Sequence, residues 1–134
     1  MTKCRRALIV EDEILVALDI ENALNALGIE VVGIAADSPA ALAMAEGVDF
    51  ALVDINLRDG QTGPMIGRTL ARDHGISVIF VTANPSVLGD GVEGTMGVMS
   101  KPFSDASISA TVSYLTMGGA EADVSPPPGL HLFN

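Results

Sequence analysis

Five side chains able to do chemistry stand at the ends of short apolar runs. Glu11 and Asp12 follow ALIV, Asp54 closes FALVD, Thr82 follows SVIFV, and Lys101, with Pro102 after it, follows GVMS. Brought together, three carboxylates would need a counter-charge. A hard divalent cation supplies it, and Mg²⁺ suits best because it prefers oxygen ligands, keeps several waters and is completed by phosphate oxygens. Lys101 would add positive charge from the opposite side. Phosphoryl transfer depends chiefly on such positioning and charge neutralisation. A carboxylate can serve as its nucleophile, and Asp54 is the candidate because it alone of the three acids closes a central apolar run. Thr82 and Lys101 would then hold the phosphoryl oxygens.

These groups meet only if the runs are parallel strands whose carboxyl ends lie at one sheet edge, where open α/β sheets bind their ligands. The sequence predicts strands at 7–10, 30–35, 50–54, 77–81 and, more weakly, 97–100. Between them lie helices from Ile14 to about Leu27, from the Asp37-Ser38-Pro39 cap to about Glu46, and from Pro64 to about Asp73. A last helix runs from Ser104 or Asp105 to Leu115. In the first helix Ile14, Ala17, Leu18, Leu24 and Leu27 recur at helical spacing; in the last, Ile108, Val112 and Leu115 share a face. Asn84 to Thr95 holds Pro85, Gly89, Gly91 and Gly94, each unfavourable inside a helix, so a fourth helix there is short or irregular. Alternating strands and helices imply a doubly wound α/β domain, a flavodoxin-like five-stranded parallel sheet of order 2-1-3-4-5. In that order the first and third strands are neighbours, which joins Glu11 and Asp12 to Asp54.

The domain is expected over residues 1–116. Residues 117–134, with Gly118-Gly119 and three consecutive prolines from Pro126, are expected to be a flexible tail. With 134 residues, 49% of them hydrophobic, the chain can fill a single core. No apolar stretch approaches the roughly 20 residues of a membrane span, and a cytoplasmic location follows. Seven basic residues against seventeen acidic give a formal charge of −10, which repels nucleic acid. The single cysteine, Cys4, has no partner for an internal disulfide and no zinc-site spacing around it.

The ordered set Glu11-Asp12, Asp54, Thr82-Ala83 and Lys101-Pro102-Phe103 resembles the receiver domains of bacterial two-component response regulators, over about Ala7 to Leu115. The resemblance implies that Asp54 accepts a phosphoryl group from a sensor histidine kinase or a histidine phosphotransferase. It also implies Mg²⁺ ligation by Asp12, Asp54 and the Asn56 main-chain carbonyl, with Glu11 helping through water. Thr82 and Lys101 would contact the phosphoryl group, Ala83 would be the small residue beside its path, Asn56 and Asn84 would influence acyl phosphate hydrolysis, and Lys101-Pro102 would be a cis peptide. The chain departs from the family at Val98, where many receivers carry the aromatic residue that rotates on activation. Around Asp54 and Thr82 it is similar to receivers of alphaproteobacterial general-stress and light-responsive pathways.

The resemblance describes a phosphoacceptor signalling protein, not a conventional enzyme, acting through phosphorylation-dependent contacts or as a phosphate sink or relay. A pseudo-receiver working through protein contacts alone and a receiver excised from a longer regulator are the alternatives. A haloacid-dehalogenase-like phosphatase is disfavoured, since Asp54-Ile55-Asn56 lacks the second acid two residues on. Singly, Glu11-Asp12 reads as a helix cap, Asp54 and Thr82 as turn residues, and Lys101 as a surface lysine. Only their joint placement argues otherwise.

Overall fold

A computed structural model of the chain describes residues 6–116 and 126–133. The order of elements is β1 (Arg6–Val10), α1 (Ile14–Ala26), β2 (Glu30–Ala35), α2 (Ser38–Ala43), β3 (Phe50–Val53), α3 (Gly63–His74), β4 (Ser77–Thr82), β5 (Gly97–Ser100), α4 (Asp105–Thr116) and β6 (Leu130–Leu132). They form one sheet in the order β2-β1-β3-β4-β5-β6. The first five strands are parallel, as the alternating pattern requires, and β6 joins β5 antiparallel.

Helices on both faces explain why β1, β3 and β4 read as nearly unbroken apolar runs, because successive side chains point to opposite, equally buried sides. Ala7, Ile9, Phe50, Leu52, Ile79, Val81 and Met99 face one core with α1 and α4. Leu8, Val10, Ala51, Val53, Val78, Phe80 and Val98 face the other with α2 and α3. Register then aligns the strand ends: Val10 pairs with Val53, Val53 with Phe80, and Thr82 with Ser100. Glu11, Asp54 and Lys101 are each the first residue past their strand, so they emerge at one edge.

Local signals account for most boundaries. The Asp37 carboxylate accepts the Ala40 amide at 3.1 Å, a side-chain cap for α2 with Pro39 in its first turn. The Ser104 hydroxyl accepts the Ser107 amide at 3.1 Å at the start of α4, whose Ile108, Val112 and Leu115 are buried together. The segment rich in glycine and proline forms only a 3-10 turn, Pro85–Leu88, as its composition implies.

Three expectations are corrected. In α1 the buried stripe is Ala17, Ile20, Ala23 and Leu24, whereas Ile14, Leu18 and Leu27 are exposed. The helix is apolar on more than one side, and only packing on the sheet chooses which side is covered. The second helix ends at Ala43, short of Glu46. The sheet has a sixth strand where a flexible tail was expected, because Leu130-His131-Leu132 offers the alternation that an edge strand can use, while the three prolines stop short of it. The glycine pair at 118–119 lies outside the described residues. Among the described residues no helix is long and apolar enough to cross a membrane.

Candidate functional site

Glu11 follows β1 directly, and its amide donates to the Ala35 carbonyl at 2.8 Å, extending the β1–β2 ladder by one residue. Its side chain is 2% exposed. One carboxylate oxygen accepts the Glu13 amide at 3.2 Å and the other accepts Lys101 Nζ at 2.8 Å. Helix capping is therefore not its role: Glu13 holds the N-cap position of α1, with no side-chain cap bond. Asp54 is placed likewise, its amide bonded to the Val10 carbonyl at 2.9 Å. Asp54 Oδ1 accepts the Ile55 amide at 2.7 Å, and Oδ2 accepts Lys101 Nζ at 3.0 Å. One ammonium, just past β5, thus bridges carboxylates that stand just past β1 and β3.

Burial raises the Glu11 pKa to about 7, the nearby Asp54 charge adding to this and the bonds from Lys101 and Glu13 opposing it. For Lys101, burial works against the charge, but its bonds to Glu11 and Asp54 outweigh it and hold the ammonium above its ordinary value. Glu13, at 4.0 Å from Lys101 Nζ, adds a further acid at the rim.

Asp12 is exposed beside this pair. Ligand oxygens of Glu11, Asp12 and Asp54 all lie within 4.8 Å of one another. A donor set of oxygens alone, one of them exposed to solvent, fits a hard cation that retains water. Asn56, Thr82, Ala83 and Asn84 line the same cleft of about 310 Å³ with Asp12, Glu13, Asp54 and Lys101. Thr82 is buried, and its hydroxyl oxygen accepts the Asn84 amide at 3.1 Å, so it also shapes the turn after β4. The Lys101 amide donates to the Thr82 carbonyl at 2.8 Å, tying the two phosphoryl-binding candidates together. Lys101-Pro102 is cis. Every residue singled out in the sequence for this site is in or beside the cleft.

Two supporting features escaped the sequence reading. Gly63 opens α3 directly against the backbone of Asp54 and Ile55: its amide donates to the Ile55 carbonyl at 3.0 Å, and a Cβ there would overlap the Asp54 carbonyl oxygen. It reads in sequence only as the second glycine of a loop. The other is Asp59, whose carboxylate accepts the Ser38 amide at 3.1 Å, the Ser38 hydroxyl at 2.7 Å and the Thr62 hydroxyl at 2.6 Å. These bonds, Thr62 first, lower its pKa to about 2.

Asp59→Ala should therefore free the loop that follows Asp54. The folded pKa lies below the ordinary aspartate value of 3.8, so the stabilisation is present above that value and is lost as pH falls through about 2. The stability difference between wild type and variant, followed by urea unfolding, should be constant near neutrality and shrink to nothing in acid. A difference that persists at the acid limit would mean Asp59 acts through packing and not through its charge.

The model of the response regulator receiver domain matches residues 7–113. The phyllosphere-induced regulator PhyR of Methylorubrum extorquens is 35% identical over 111 residues, which are 79% of this chain and 41% of that protein. The response regulator PhyR from Brucella abortus matches with a TM-score of 0.76 at 35% identity, covering 91% of this chain and 51% of that one. For the receiver domain of Erythrobacter litoralis PhyR the TM-score is 0.74 at 30% identity, covering 87% and 92%. The chain thus spans about half or less of the two longer regulators and nearly all of the separate receiver domain. With the fold, the strand-end acids and the sequence match in agreement, this chain belongs to the response regulator receiver family.

Proposed function

We propose that Asp54 is a phosphoacceptor, taking a phosphoryl group from a phosphohistidine of a sensor histidine kinase or histidine phosphotransferase. In the transfer an Asp54 carboxylate oxygen forms the new bond to phosphorus as the phosphorus–nitrogen bond breaks, its electron pair remaining on the donor imidazole. Glu11, Asp12, Asp54 and the Asn56 carbonyl would hold Mg²⁺, which when bound supplies charge neutralisation for the phosphoryl oxygens. Lys101 would move from Asp54 Oδ2 onto a phosphoryl oxygen, and Thr82 would donate its hydroxyl to another. Ala83 would leave the approach open, and Asn56 and Asn84, which line the cleft, would govern access of hydrolytic water.

The observation that carries this reading is the Lys101 ammonium spanning Glu11 and Asp54, at 2.8 and 3.0 Å, inside a cleft that a third carboxylate also faces. The output is a protein contact or a relay of the phosphoryl group in the cytoplasm, since an acidic chain repels nucleic acid. Ile14, Leu15 and Leu18, exposed on α1 beside the cleft, are the proposed donor-docking face.

The test is intact-protein mass after exposure to acetyl phosphate with Mg²⁺. One phosphoryl addition is expected in wild type and none in Asp54→Asn or with EDTA. If the folded, metal-bound protein also gains nothing from a kinase phosphohistidine, the phosphoacceptor reading fails and a receiver acting by protein contact alone replaces it.

A further inference from the structure

The outer side of β5 is covered by a segment beyond the receiver match, which ends at residue 113. Gly97, Val98 and Met99 pair there with Leu132, His131 and Leu130. Without β6 this side of β5 would be an open strand edge, a template for any extended chain. We propose that the β5 edge is a strand-accepting docking surface whose resident, displaceable occupant is Leu130 to Phe133. The partner it fits is an extended peptide with apolar residues two apart followed by an aromatic.

The receiving side is cut back where the occupant lies. A Cβ at Gly97 would overlap the His131 carbonyl oxygen and stand 3.1 Å from Leu132 Cα. A Cβ at Gly91 would stand 2.6 Å from Phe133 Cγ. Two positions on different segments are thus shaped to one four-residue segment, β6 and the Phe133 that follows it. Recognition also reads both faces of the sheet. Leu130 is buried in the core under α1 and α4, and Leu132 packs against the same core. Phe133 turns to the other core, its ring centroid 6.4 Å from that of Phe80 at a 42° tilt, while its amide donates to the Met96 carbonyl at 2.9 Å. His131, between the two leucines, is exposed. This is the pattern of strand addition, in which main-chain bonds give affinity and alternate side chains give selectivity.

Displacement is open to a competitor because the pairing is only three residues long, the short end of the usual range of strand lengths. A cavity of about 530 Å³ also flanks it, lined by Pro85, Ser86, Gly89 and Asp90 on one side and His131, Leu132 and Phe133 on the other. Covalent attachment keeps the resident strand in place, since binding within one chain acts at a raised effective concentration. The surface stands whether or not Asp54 is phosphorylated.

The test uses the full chain and a labelled peptide with the sequence of residues 126–133. In wild type the Phe133 amide, which donates to the Met96 carbonyl, should be protected from hydrogen exchange. Gly97→Ala, which closes the edge, and Leu132→Asp, which detaches the occupant, should each speed that exchange about tenfold or more. The peptide should bind Leu132→Asp at least about tenfold more tightly than wild type, and should not bind Gly97→Ala. A scrambled peptide should bind none of them. Where Leu132→Asp does not fold, Phe133→Ala serves in its place with the same readouts. An unprotected Phe133 amide in wild type, equal peptide binding to wild type and the detached variant, or no binding to a folded detached variant would overturn the proposal.

Discussion

Lys101→Met should lower the stability of the metal-free protein by about 3 kcal/mol, because removing one member of a buried ion pair strands the other. Here two carboxylates are stranded at once. Glu11 is nearly inaccessible, and the Lys101 side chain itself is only 15% exposed, so solvent screens little of the loss. Methionine keeps the apolar stem, and the effect isolates the charge. The cost should be recovered in part by Mg²⁺, which at about a hundredfold above its dissociation constant stabilises the folded state by about 2.7 kcal/mol. Phosphoryl acceptance should fall about a hundredfold or more, the usual consequence of deleting one charge-stabilising donor at a reacting centre. Urea unfolding with EDTA and with Mg²⁺, alongside the acetyl phosphate mass assay, separates these effects. An unchanged metal-free midpoint would show that Lys101 is not the counter-charge of the cluster.

A methyl group at position 63 should cost about 2 kcal/mol, the range for forcing an atom into filled space, and should slow phosphoryl acceptance. The Gly63→Ala Cβ would overlap the Asp54 carbonyl oxygen and stand 2.6 Å from Ile55 Cα. Neither neighbour is a side chain that can rotate away. To relieve the contact, α3 or the strand end must shift, and the Asp54 carboxylate shifts with it. Gly75→Ala is the matched comparison, since Gly75 is glycine for a different reason. It sits at φ +66° past the end of α3, with open space where a Cβ would go. Its loss should cost about 1 kcal/mol from backbone strain alone and leave phosphoryl acceptance intact. Equal effects of the two variants on acceptance would refute the close-approach argument.

Much of this molecule is legible along the chain. The unbroken runs ALIV, FALV and SVIFV mark strands covered on both faces, and the segments between successive strands are long enough for the helical crossovers that parallel pairing requires. Parallel topology then puts residues 11, 54, 82 and 101 at one edge without any knowledge of coordinates, and hence proposes the site. Glycine and proline between Asn84 and Thr95 rule out a regular helix there for a local reason, and the structure has only a 3-10 turn.

What lay beyond reach depended on contacts between distant segments. Periodicity along α1 does not distinguish Ile14 and Leu18 from Ile20 and Ala23, because all are apolar and only the sheet's position selects a face. Gly63 looks like loop punctuation until α3 is laid against Asp54. Leu130-His131-Leu132 looks like the end of a proline-rich tail until β5 presents an edge with a glycine, Gly97, where its backbone must approach. The sequence by itself determined which residues can do chemistry and in what strand order they arrive, because those depend on local pattern and chain connectivity. The tertiary structure alone decided that one ammonium bridges Glu11 and Asp54, that a methyl group at position 63 has no room beside Asp54, and that β6 extends the sheet. Each is a matter of distance between parts of the chain that no local pattern relates.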